Sequence, residues 1–571
     1  MARADKPRRD RKGRRWPPER VGLTALSLAV AAVIVAPLVV VLVKSLQVQT
    51  GLFESTFTFA NYQAVFQGVG LTAIGNSFAI GLGSATLATV IGVTLAWFNT
   101  RTRFAGQPVF EGLVLVPFFL SPFLGAVAWT YIGSPQVGLL NSLYRLITGS
   151  DGHLIDIYSL PGIIWVAGVF HVPLVYLMTS SSFRQMDPAL EQASRVSGAG
   201  VRTTMLRITV RLAIPSILSA AILTFVLGIE DLATPLILGN MKGIDTLSIE
   251  VFEQVQRFPA NYNFGAAVGM VLMVIAGAGV LVQHRLLKRR SFVTVTGRGF
   301  RPDRLRLGPG GRAFAVVLNA LYAIIAVVAP IGTMIAVSVS QGWTGVIDPS
   351  RFTLRNYRYL FVENPLAING IRNSLILATC AATIAIVLSI GTAYGIHRVK
   401  VLGARVIEVI LNIPVAVPGL VLAVGLLVVL IRSPLYGTLA ILMLAYVVRY
   451  FPYAQRSVTA ALVSISPELE DASRTNGAAW WTTVRKVTFP LLRSGLFGGW
   501  LLLFISTIRE VSASMLLGRS GTTPMSVALW NFVNYDPIGA AAAYAVIQVG
   551  LLLAVAFIML RIGGKESLRV G

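Results

Sequence analysis

The 571-residue sequence predicts an all-α polytopic membrane protein, built as two tandem parallel repeats of about six transmembrane helices each. Three observations predict it. The composition is 55% hydrophobic and only 13% charged, with mean hydropathy +0.72, whereas a soluble domain carries about 25% charged residues. Long apolar runs recur along the whole chain at the length of about 20 residues that a spanning helix needs. Finally, EQASRVSGAG (Glu191–Gly200) is echoed 279 residues later by EDASRTNGAA (Glu470–Ala479).

Twelve runs are candidate spans. In the first half they lie near 22–44, 76–98, 110–131, 161–181, 213–239 and 264–284. In the second half they lie near 314–339, 374–396, 406–431, 436–454, 492–518 and 539–561. The third of each half is broken by prolines, Pro117 and Pro122 in one and Pro414 and Pro418 in the other; such breaks are tolerated where neighbouring helices or water satisfy the freed backbone groups. The first run is too long for the apolar core of a signal peptide and is expected to stay as a span.

The units follow from these runs. Residues 1–21 form a basic tail, 22–286 the first unit, 287–312 a basic linker rich in glycine, and 313–565 the second unit. Of the 48 lysines and arginines, 36 fall on the side of the N-terminal tail, 10 on the other side and two within spans. An even number of spans with this bias places both termini in the cytoplasm. The net charge of +24 sits in short blocks between apolar segments, not on an aromatic-interleaved face, which excludes a nucleic-acid binder. The single cysteine, Cys380, lies in an apolar run and forms neither a disulfide nor a metal cluster.

The duplication extends well beyond the two echoed stretches. FTFANYQAVF (57–66) is similar to FTLRNYRYLF (352–361). Asn76-Ser77 matches Asn373-Ser374, and Arg101, Glu111 and Pro117 match Arg398, Glu408 and Pro414, all 297 residues on. Shared order with drifting offset is the mark of duplication followed by loop insertions, and six spans per unit makes the repeats parallel.

Each echoed stretch reads as a short surface helix. Asp187-Pro188 and Ser466-Pro467 are N-cap and first-turn signals, with Glu191 and Glu470 in the first turn. Gly198 and Gly477 follow seven residues after the glutamates, where a left-handed cap ends the helix. The loops as a whole cover about 184–215 and 464–493, and each carries a small apolar face, Ala193 and Val196 in one, Ala472, Trp480 and Trp481 in the other.

The spacing Glu-x-Ala-x-x-x-x-Gly, closed in the second copy by Val487 and Pro490, resembles the EAA loop of bacterial ABC importer permeases. The first copy keeps Glu191, Ala193 and Gly198, but has Arg211 where the closing proline is expected and Pro215 four residues late. The resemblance spans about 55–285 and 350–565 and implies a type I importer permease fold, in which each loop docks on one ATP-binding subunit. Glu191, Ala193, Gly198, Glu470, Ala472, Gly477 and Pro490 are then the expected docking residues. It implies a homodimeric ATP-binding subunit on the cytoplasmic face, an extracytoplasmic solute-binding protein as the second partner, and a multi-pass plasma (inner) membrane location. No G-x-x-x-x-G-K-[ST] loop occurs, so ATP and magnesium are expected on the partner and no cofactor in this chain. No catalytic constellation is recognisable, so the chain is not expected to be an enzyme, and four scattered histidines make no metal site.

Glu230-Asp231 and Arg509-Glu510 are ionisable pairs at matched positions, 279 apart, inside the fifth and eleventh spans. Intramembrane charge costs at least about 2.5 kcal/mol per group and therefore faces a bundle interior or water. The four residues are candidates for a gate or pathway lining, or for an ion pair between Arg509 and a carboxylate that pins the halves together. Arg449, beside Tyr450 and Tyr453, is expected to snorkel to the cytoplasmic interface. LATPLILG (232–239) and REVSASMLLG (509–518) resemble the gate helices of ferric-iron permeases, which makes ferric iron the expected cargo; similar chains serve thiamine, polyamines or phosphonates. An ion-gradient-driven secondary transporter is the alternative from another class.

Overall fold

A computed structural model describes residues 18–49, 55–288 and 304–563. The basic tail up to residue 17 and the centre of the linker, 289–303, lie outside them. Nearly all of the described chain is helical, with two tiny sheets: Gln47–Gln49 antiparallel to Ser55–Phe57, and Thr102–Arg103 parallel to Leu305–Arg306.

Eight helices among the described residues are long and apolar enough to cross a membrane, and three bent pairs raise the number to eleven if each is one span. The tenth expected span, 436–454, is a 25-residue helix, Leu439–Val463, that is not among them. Arg449, Gln455 and Arg456 dilute its apolar character. The proline breaks have the anticipated places. Gln107–Leu120 and Pro122–Gly133 meet at 99°, with Ser121 at φ 79° between them, and Ala404–Ala416 meets Gly419–Leu430 at 108°. A proline cannot donate to the preceding turn, and its ring pushes the residue before it out of the helical region.

The duplication is visible down to single hydrogen bonds. Asn61 donates to the carbonyls of Ser45 (3.1 Å) and Gln47 (2.8 Å), and its counterpart Asn356 to those of Ser338 (2.8 Å) and Ser340 (2.9 Å). The hydroxyls of Ser45 and Tyr62 pair at 2.8 Å, those of Ser338 and Tyr357 at 2.9 Å. The Leu247 amide donates to Ser77 Oγ, and the Met525 amide to Ser374 Oγ. In each unit this binds the second span to the amphipathic helix of the opposite face, Leu247–Gln256 or Met525–Tyr535. With no water in the bilayer core, such side-chain bonds satisfy backbone groups that helix ends leave open.

The first helix of each unit packs on its own unit and on the other, Pro18–Ser45 against Tyr262–Lys288 of the first unit and Ala329–Ser338 against Ile538–Gly563 of the second. Pro18–Ser45 packs against Pro365–Tyr394, Ala404–Asn412 and Gly419–Leu430 of the second unit. Gly391, Gly395 and Gly425 make room, since a β-carbon at 391 would strike Leu26 and one at 425 would strike the Pro37 backbone. Pro309–Ser338 likewise crosses to the first unit, where Asn99 Nδ2 donates to Asn319 Oδ1 (3.0 Å) and Tyr322 to the Val169 carbonyl (3.2 Å). Small residues that let backbones approach are the usual means of helix association in lipid. Replacing Gly425 by valine is therefore expected to cost about 1–3 kcal/mol by overpacking, read as a lower Tm of the purified protein in detergent. The same change at Gly550, which has nothing within 4 Å, should leave Tm unaltered.

Candidate functional site

Two elements carry the ionisable groups that the sequence singles out: the pair of echoed loops, and a buried layer where the two units meet. The start of the first helix lies beside the second loop. Arg20, at the start of the first helix, donates to the Lys400 carbonyl (2.9 Å), and a cavity of about 330 Å³ there is lined by Glu19, Arg20, Arg398, Asp471 and Arg474.

Each loop is a capped helix, a left-handed glycine and a return helix. In Pro188–Val196 the N-cap Asp187 accepts from the Ala189 amide (2.8 Å), and in Pro467–Thr475 the N-cap Ser466 accepts from the Glu468 amide (3.4 Å). Gly198 (φ +85°) and Gly477 (φ +81°) end them, and the following amides, Ala199 and Ala478, bond back to Ser194 and Ser473. Without a β-carbon this conformation is unstrained. Ser194 then meets Thr204 (3.0 Å) and Ser473 meets Thr483 (2.9 Å), closing each loop on its return helix. A π-helical turn, Met205–Thr209 or Val484–Thr488, leads back towards the membrane in both copies. The re-entry is thus alike in both units, although one has Pro490 near its start and the other Arg211.

The glutamates point inwards. Glu191 and Glu470 are 6% and 5% exposed, so neither offers its carboxylate to an outside groove, contrary to the expectation of direct docking. Glu191 accepts from Thr209 Oγ1 (2.6 Å) and pairs with Arg101 Nε (3.5 Å). Glu470 accepts from Thr488 Oγ1 (3.1 Å) and Tyr394 (2.9 Å) and pairs with Arg398 Nε (3.6 Å). Arg398 also donates to the carbonyls of Leu462 and Ile465, where the preceding helix ends. A buried carboxylate is tolerable only when paired and hydrogen-bonded, so each glutamate is the root that ties its loop to the second span of its unit. The outer surface is left to Leu190, Ala193 and Val196 in one loop, and to Leu469, Ala472 and Trp481 in the other. Val196 is 90% and Trp481 63% exposed, whereas Trp480 turns in to stack edge-on against Tyr394. Arg101, Arg398 and the two threonines are functional residues that the motif alone misses. Their signal was present: Arg101 and Arg398 are a matched pair, and each threonine lies 18 residues after its glutamate.

The buried layer sits where the fifth and eleventh spans stop. Asp231 accepts from the amides of Ala233 (3.0 Å) and Thr234 (3.3 Å), capping Ala233–Leu238. Its counterpart Glu510 accepts from those of Ala513 (3.0 Å) and Ser514 (3.1 Å), capping Ser512–Leu517. The pairing of the other two differs from expectation. Among the described residues Arg509 meets no carboxylate; it donates to the Phe118 carbonyl, at the break of the first unit's bent span, and lies 5.5 Å over the Phe118 ring. The cation between the carboxylates is Arg449, whose guanidinium is 3.7 Å from Glu230 and 4.0 Å from Glu510. It does not snorkel to the interface, because the buried Glu510 and the partly buried Glu230 hold it inside more strongly than water draws it out.

Replacing Glu191 by alanine leaves Arg101, fully buried, without its counter-charge, at an expected cost of about 3–5 kcal/mol. The double change Arg101→Leu with Glu191→Leu removes both charges and should cost less, a difference measured by thermal unfolding of the purified protein.

The family described as binding-protein-dependent transport system inner membrane component matches residues 88–292 and again 385–565, one copy per unit. Among curated relatives, the ferric transport system permease protein FbpB of Actinobacillus pleuropneumoniae is 24% identical over 88% of this chain and 73% of its own length. A probable ABC transporter permease protein of Sinorhizobium fredii, y4fN, is 22% identical over 96% of both chains. A putative 2-aminoethylphosphonate transport system permease protein of Salmonella typhimurium, PhnV, is 27% identical over 43% of this chain and 92% of its own. With the family's domain present twice in a multi-helical membrane body, the chain belongs to the inner membrane components of binding-protein-dependent transport systems, as a fused two-unit ABC importer permease.

Proposed function

We propose that this permease forms the path for a solute delivered by an extracytoplasmic binding protein, that its two loops dock on a homodimeric ATP-binding subunit holding ATP and magnesium, and that the solute is ferric iron. The single observation that carries the docking is the matched pair of rooted loops. Each exposes a small apolar ridge, while its acidic root runs through Arg101 or Arg398 into the second span. A force applied to the ridge is thereby passed to the helix bundle as a rigid-body movement, which is how a nucleotide-driven partner reshapes a distant site. Lysine and arginine bias puts the loops, and both termini, in the cytoplasm. The chain itself takes no part in ATP hydrolysis.

Ferric iron is favoured over other cargo by coverage. Two relatives named as ferric permeases align along 88% and 84% of the chain, at 24% and 25% identity, whereas the phosphonate relative aligns with 43%. ATP-dependent uptake of radioactive ferric iron into proteoliposomes holding the permease, its ATPase and its binding protein tests the cargo; competition by thiamine, spermidine or 2-aminoethylphosphonate would reassign it. Uptake by the permease alone on a proton or sodium gradient would instead establish a secondary transporter.

For docking, Val196→Asp combined with Trp481→Asp places charge on both exposed ridges. Copurification of the ATPase is expected to fall about tenfold or more, as for loss of hot-spot contacts worth about 2 kcal/mol, with Tm unchanged. Retained copurification would remove the ridges from the interface.

A further inference from the structure

We infer that Arg449 and Glu230 form a latch across the seam between the two permease units, and that breaking it is a step in opening the path. The inference goes beyond the transport reading and does not depend on the cargo.

The contact joins units rather than parts of one unit. Arg449 lies in Leu439–Val463 of the second unit, together with Glu510, whereas Glu230 ends Val210–Glu230 of the first. The ion pairs that root the loops, Arg101–Glu191 and Arg398–Glu470, by contrast each lie within one unit. When the units part, the Arg449–Glu510 contact moves as one body, and the Arg449–Glu230 contact must lengthen. The cost of opening falls on a carboxylate in a layer with little water, where an unpaired charge is expensive.

The duplication shows that this arginine is a departure from the repeat. At the offset of 279 that matches the two loops and the two ionisable pairs, Arg449 corresponds to Phe170, with Pro173 and Pro452 matched three residues on. Both side chains lie over a glycine of their unit's broken span. A β-carbon at Gly125 would run into the Phe170 ring, and one at Gly419 into the Arg449 guanidinium. The first unit fills the place with a hydrocarbon, the second with a cation reaching the other unit's acid. Glu230 and Arg509, the remaining matched pair, are likewise of opposite sign, and Arg509 also reaches across, to Phe118. The Arg449–Glu230 and Arg509–Phe118 contacts of this layer therefore both run between units, and Gln256 adds a third by donating to the Met515 carbonyl (3.3 Å).

The test uses the purified full chain with Cys380→Ala and a reporter, Met515→Cys, whose native side chain is buried beside that Gln256 contact. A water-soluble thiol reagent reads opening of the seam, and Ala88→Cys, buried within the first unit, reads general loosening. Glu230→Gln is expected to raise the labelling rate of the seam reporter about five- to tenfold and to leave Ala88→Cys unlabelled. Arg449→Lys, which keeps the charge, should lie near the parent. Should Glu230→Gln not fold, Glu230→Asp carries the test, with an intermediate rise expected. Unchanged labelling at the seam, or an equal rise at both reporters, overturns the latch. ATPase copurification measured on the same variants separates this outcome from failure of the docking proposal, since the labelling needs no partner.

Discussion

A charge taken into a bilayer must bring its partner with it, and most of what is distinctive in this molecule follows from that constraint. The loops are held by buried carboxylates that each found an arginine and a threonine. The short helices after the fifth and eleventh spans begin where an acid side chain replaces the missing backbone acceptor. The layer between the units is organised by one guanidinium shared between two carboxylates. In each case the charged group is costly alone and stable in company, so it fixes where one helix stands relative to another more sharply than apolar packing in lipid does.

The same constraint connects the surface to the interior. Val196 ends the helix that carries Glu191, and Trp481 stands in the return helix after the one that carries Glu470; the two glutamates are in turn one ion pair from the ends of the second spans. The route is the same in both copies: a capped helix, a glycine turn, a π-helical turn and a buried pair. A rigid linkage of this kind suits a protein whose loops are moved by a partner, because little displacement is lost on the way to the bundle.

Much of this was legible in the sequence. Repetition revealed the two units, the two loops and the matched polar positions, since duplicated residues with no shared role drift apart. Proline and glycine marked the broken spans and the loop ends, because both act through local backbone geometry. What could not be read was the direction in which side chains point across the bundle. Glu191 looks like a surface acid on a short helix, and only the fold places Arg101, ninety residues earlier, beneath it. Arg449 next to two tyrosines looks like an interfacial anchor, and only the approach of the two units surrounds it with Glu230 and Glu510. Partners contributed by another unit leave no periodic trace, and the reach of the first helices onto the other unit leaves none either.

Carrying both repeats on one polypeptide has a consequence for how such a seam can arise. In a pair of identical subunits every substitution appears twice, so an arginine near the dyad confronts its own copy and an acid faces an acid. Fusion lifts that symmetry: each copy is free to mutate alone, and a phenylalanine on one side can become a guanidinium on the other. The 1:1 ratio of unlike halves is then guaranteed by translation, and complementarity between them becomes heritable as a single gene.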